Sequence, residues 1–125
     1  MKPTIDSLKT LEDVHHYVVM KLREQGHPSL NYEGTCMYRG DDGMKCAIGH
    51  LIEDRYYSED MEGASSIEPK ILDCVRWSLP PSFEFNKYAA EYLSNLQEAH
   101  DMWAKDTPFP EKRFQQVLEE MLEEN

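Results

Sequence analysis

Residues 36–52 constrain the fold more than any other part of this chain. They form the one stretch that reads as β-structure, while the remainder reads as amphipathic helix. Residues 36–39 and 44–48 have the character of two short strands. Gly40-Asp41-Asp42-Gly43 between them suits a type I turn with Gly43 left-handed, a common three-residue hairpin loop. In that register Cys36, Tyr38 and Cys46 share one face, and Arg39 and Lys45 share the other. A one-residue slip would separate the two cysteines.

Helical signals surround this segment. Thr10 and Asp13 make a capping box. Leu11, Val14, Val18 and Leu22 then recur at helical spacing, and Gly26 supplies the stop, which predicts a helix over 11–25. A second helix is expected from about residue 47 to 57. Pro69 suits the first turn of a third, and Pro80-Pro81 ends it. The longest pattern runs over 86–105, with Ala89, Leu93, Leu96, His100 and Trp103 on one face. Phe114, Val117, Leu118, Met121 and Leu122 define a last amphipathic helix. The expected fold is therefore α+β: a mainly helical single domain over 1–125, with four to five helices and one β-hairpin.

The 125 residues suffice for one core without staples, since domains of this size bury roughly two thirds of their unfolded surface. Three cysteines is an odd number, which argues against a disulfide framework and for a reducing compartment. No apolar run approaches the ~20 residues of a membrane span, and residues 1–10 lack the apolar segment of a secretory signal. The net charge of −11 disfavours direct binding to nucleic acid over most of the surface. Acidity of this kind either keeps helices soluble or mimics nucleic acid as a decoy. The first reading is favoured, because the charge is spread along helices whose other faces are apolar.

Candidate site residues cluster around the expected hairpin: Tyr38, Arg39, Lys45, Cys46 and His50, with His100 from the long helix. Arg39 and Lys45 on a common face, beside Tyr38, can hold a phosphate, a carboxylate or an acidic protein loop. Surface pairing with Asp41, Asp42, Glu53 or Asp54 is the competing account of both cations. Cys46 lies where a strand meets a helix, which can activate a thiol, and His50 follows four residues later. A buried, inert Cys46 is the favoured alternative. Cys36, Cys46, His50 and His100 are zinc-ligand types, but their spacing matches no common zinc pattern. His100, in an apolar stripe, reads as a hydrogen-bonded core residue. No catalytic residue, metal or cofactor is expected.

The pattern Cys36-x-Tyr38-Arg39-x3-Gly43-x-Lys45-Cys46-Ala47-x-Gly49-x-Leu51-Ile52-x-Asp54, followed by Met61-Glu62-Gly63 and Leu93-x2-Leu96-Gln97-x-Ala99-His100-Asp101, resembles small, largely uncharacterised proteins of tailed phages and bacteria. The resemblance spans about residues 10–122. It implies a phage or prophage accessory protein acting in the bacterial host cytoplasm, and it implies no reaction. In such sequences a cysteine stands where this chain has His50. Together these readings favour a non-catalytic binding module for a host protein or a small anionic ligand, used against a host defence. The alternatives are a Cys46/His50 hydrolase or transferase, a zinc-stabilised interaction domain, and the acidic decoy. An oligomer is compatible with the sequence.

Overall fold

The structure is a computed structural model, and it describes residues 3–31, 33–34, 36–65, 68–85, 88–105 and 108–124. Among the described residues four α-helices carry it: α1 (Leu11–Gln25), α2 (Pro69–Ser78), α3 (Ala89–Lys105) and α4 (Glu111–Glu124). Short 3₁₀ turns occupy much of the chain between α1 and α2. The Thr10 hydroxyl caps α1 by accepting from the Asp13 N–H, and Gly26, left-handed, closes it. Pro69 occupies the first turn of α2, where its missing N–H costs nothing. Asn86 and Lys87, included in the expected long helix, lie outside the described residues. No helix among the described residues is long and apolar enough to cross a membrane.

α3 packs on α4, and α4 on α1. Their shared seam buries Val14, Val18 and Leu22 of α1, Leu93, Leu96 and Trp103 of α3, and Phe114 and Val117 of α4. Arg23 and Glu111 pair at the surface edge of the α1–α4 contact. The turn over Gly49–Leu51 packs on α1 and plugs the core, with Cys46, Ala47, Ile48 and Leu51 all fully buried. Leu122, from the amphipathic pattern of the last helix, stays out at 50% exposed, as does Trp77 of α2 at 56%.

The expected α+β class is corrected to all-α. Among the described residues there is no strand, only two isolated antiparallel bridges, Leu30 with Cys36 and Arg39 with Lys45. The second bridge sits where the hairpin was expected, and Gly43 is left-handed (φ 77°). Two backbone bonds flank that bridge, Gly40 N–H to Met44 O (2.8 Å) and Cys46 N–H to Tyr38 O (3.3 Å). Yet the ladder does not extend: the Tyr38 N–H that would answer Cys46 goes to a side chain, and so do the outward-facing groups of Arg39 and Lys45. The Glu62 carboxylate accepts from the N–H of Tyr38 (2.9 Å) and of Arg39 (3.1 Å). The Gln25 side chain accepts from the Lys45 N–H (2.9 Å) and donates to the Lys45 carbonyl (2.9 Å). Gln97 accepts from the Ile48 N–H (3.1 Å). Every buried backbone group needs a partner, and here the partners are amides and a carboxylate rather than a second strand.

The helix expected over about 47–57 is likewise replaced, by separate 3₁₀ turns over Gly49–Leu51 and Asp54–Tyr56. Close backbone approach explains the break. A Cβ on Gly49 would lie 2.1 Å from the Tyr38 carbonyl oxygen, and one on Gly40 would lie 2.6 Å from the Ser29 hydroxyl. Both glycines let three loop segments stack at backbone distance, tied by Met37 N–H to Ser29 O (3.1 Å) and Asp41 N–H to Leu30 O (3.0 Å).

Candidate functional site

The loop stack has two open sides, and the candidate residues divide between them. On one side Lys45 and His50 line a cavity of about 370 Å³ with Tyr17 and Lys21 of α1, Ile5, Ile52, Glu53 and Asp54. Arg39 stands at its back. Its guanidinium donates to Asp54 Oδ1 (2.6 Å) and to the Ile52 carbonyl (2.6 Å), and it lies 4.8 Å from the centre of the Tyr57 ring. Arg39 and Lys45 therefore do share a corner, but only Lys45 faces the cavity. Arg39 is 17% exposed and works as a clamp on the loop. Its hydrogen bond and charge hold the Asp54 carboxyl below its ordinary range.

The charge around this cavity is unevenly compensated. Asp54 is committed to Arg39, and Glu53 to Arg55 at 2.8 Å. Lys45 reaches Asp54 only at 3.9 Å, and Lys21 reaches Glu24 only at 4.0 Å. Burial lowers the Lys45 ammonium, with Arg39 and Lys21 adding repulsion. Burial also pushes the His50 imidazole down to about 3, assisted by the charges of Lys45, Lys21 and Arg39 and by His100. His50 is thus neutral near pH 7. Its Nε2 lies 3.1 Å from Gln25 Oε1. That oxygen already accepts from Lys45, so the His50 nitrogen is the donor.

On the other side Cys36, Tyr38, Glu62, Gln97, Glu98 and Asp101 line a second cavity of about 380 Å³, whose walls among the described residues carry acids and no base. Tyr38 is fixed by its hydroxyl, which donates to the Ala64 carbonyl (2.5 Å). Burial raises its phenol, and Cys46 and Glu62 add to the shift.

His100 is fully buried behind this wall. Its Nε2 accepts the Ser29 N–H at 3.0 Å, so the ring proton sits on Nδ1 and is given to Asp101 Oδ1 at 3.2 Å. Gln97 also donates to that carboxylate oxygen (3.2 Å). Cys36, His100 and Asp101 place one ligand atom each within 4.8 Å of one another. A metal on Nδ1 would move the proton to Nε2, setting donor against donor at Ser29. The hydrogen bonding thus suits a closed polar cluster, in which burial and Asp101 push the Cys36 thiol up to about 11.

Cys46 and His50 do not join that cluster. Cys46 is fully buried, its sulfur accepts the Gly49 N–H (3.2 Å), and burial pushes its thiol up to about 12. Such a group stays protonated and is no nucleophile. Of the six candidates, then, Lys45 and His50 meet at one cavity with Arg39 behind them. Tyr38 lines the other cavity, while Cys46 and His100 lie inside.

Four residues that hold these places escaped the sequence reading as site residues: Lys21, Gln25, Glu62 and Gln97. Lys21 lies one turn before the end of α1 and enters the site because the loop packs on that helix, a contact that no local pattern announces. Nothing in local pattern marks Gln25 or Gln97 as backbone binders. The fold and the site define a small all-α protein whose irregular inter-helix segment carries a lysine-lined cavity. No family model, curated protein or solved structure matches the chain.

Proposed function

We propose that this chain is a non-catalytic binding module that holds an anionic group of its partner at the Lys21/Lys45/His50 cavity. One observation carries the reading: in a chain of net charge −11, two incompletely paired ammonium groups converge on one cavity. The cavity's volume of about 370 Å³ falls within the range of ligand sites, and its walls are mostly polar and charged, as an anion site requires. The partner class is a host protein or a small anionic ligand. The sequence resemblance supports a setting in phage infection, in the bacterial host cytoplasm and against a host defence.

The test is affinity capture from phage-infected bacterial cells, with mass spectrometry of both proteins and small molecules. The wild type is compared with the Lys21→Ala/Lys45→Ala double variant, after circular dichroism has shown both to be folded. A species captured by the wild type should fall at least tenfold with the variant. Equal capture by both would overturn the assignment of this cavity.

A further inference from the structure

We propose that the group held between Lys21 and Lys45 is a phosphoryl group carried as a phosphomonoester. The inference rests on the binding reading above and deepens it. Charge balance is the first argument. The cavity's two carboxylates are each engaged by an arginine, Asp54 by Arg39 and Glu53 by Arg55. Two lysines remain, each at the 3.9–4.0 Å limit of ion pairing. A phosphomonoester carries about −1.5 to −2 at neutral pH, which matches them. A carboxylate, with a single charge, would match only one of the two, leaving the other with its long ion pair at 3.9–4.0 Å and, for Lys21, the Tyr17 ring at 5.7 Å.

Donor geometry is the second argument. Planar carboxylates are best held by the fork of an arginine. Arg39 has no fork to offer, because one end is on Asp54 and the other on the Ile52 carbonyl. The lysines are mobile point charges with three donors each, suited to a tetrahedral oxyanion. Ile5, Ile52 and the Tyr17 ring give the cavity an apolar wall, and its volume of about 370 Å³ leaves room for the body of a small ester.

The test uses the full chain and three probes followed by NMR of the His50 ring protons and by calorimetry. Phenyl phosphate and benzoate present the two head groups on one ring, and a phosphoserine peptide presents the phosphoryl group on protein. Phenyl phosphate should bind at least tenfold more tightly than benzoate and shift the His50 signals. Lys21→Ala and Lys45→Ala should each lose at least tenfold, while Lys112→Ala, an exposed residue of α4, should lose nothing. Preference for the peptide over the free ester would place the phosphoryl group on a partner protein. The reverse would place it on a small molecule, and either result upholds the site. Equal binding of phenyl phosphate and benzoate, or undiminished binding to the double variant, overturns the phosphoryl inference. If partner capture still depends on both lysines in that case, the binding module stands with another anion.

Discussion

Arg39 shows how one side chain changes meaning once its surroundings are known. In the sequence it is a cation next to another cation, suited to a binding face. In the fold it joins Asp54, the Ile52 carbonyl and the Tyr57 ring, which ties three points of the irregular segment together. Its removal should therefore be felt as lost stability. A charged hydrogen bond contributes roughly 1.5–3 kcal/mol, and a partly exposed cation–π contact about 0.5–1 kcal/mol. Arg39→Ala is expected to cost about 2–3 kcal/mol in urea unfolding at pH 7. Lys45→Ala, whose ion pair with Asp54 spans 3.9 Å, should stay within roughly 0.5 kcal/mol of wild type. Equal small effects from both would show that the Arg39 clamp contributes nothing.

At the scale of elements, the helices were legible and the segment between them was not. The bounds of α1 and α2 follow from Thr10, Gly26, Pro69 and Pro80, because capping and proline act within a few residues of where they stand. The buried faces of α3 and α4 follow from a 3.6-residue period. Residues 36–52 have neither kind of signal. Their alternation suggested strands, but their backbone groups go to Glu62, Gln25 and Gln97, which lie far off in sequence. The candidate site suffered the same fate. Lys45 and His50 could be nominated from the segment itself, whereas Lys21 enters only because the segment packs on α1. The glycines hint at close packing without saying against what. Gly49→Ala tests that packing. Its Cβ would meet the Tyr38 carbonyl at 2.1 Å, and backbone cannot yield as a flexible side chain does. A loss on the order of 3 kcal/mol is expected, at the upper end for overpacking. A denaturation midpoint within error of wild type would mean that the two loop segments are not stacked as described.

At the scale of the whole molecule, two histidines that desolvation keeps neutral, His15 and the half-buried His50, couple the fold to pH. His15 sits under α3 with its Nδ1 3.1 Å from the Tyr92 hydroxyl, and burial, with His16 nearby, pushes it down to about 4. His50 is pushed down to about 3 in the cavity wall. Both start from an ordinary value of 6.5. The unfolded chain therefore takes up protons that the folded chain refuses. Stability is fully present above about pH 6.5 and falls as the pH drops, levelling only near the folded values. Each histidine contributes up to about 1.4 kcal/mol of loss per pH unit in that window. Ordinary carboxylates, with values near 3.9–4.3, stay largely ionised down to about pH 5. The interval from pH 6.5 to 5 thus isolates the histidines from the relief of acidic self-repulsion that follows. In urea titrations across it, wild type should lose stability with a slope approaching two protons. His15→Gln and His50→Gln should each reduce that slope by about one proton, whatever they do to stability at pH 8. The His50 share should also shrink when an anion occupies the cavity, since a negative group between Lys21 and Lys45 offsets the charges that help keep the imidazole neutral. A slope unchanged in both variants would show that neither ring is held neutral by the fold.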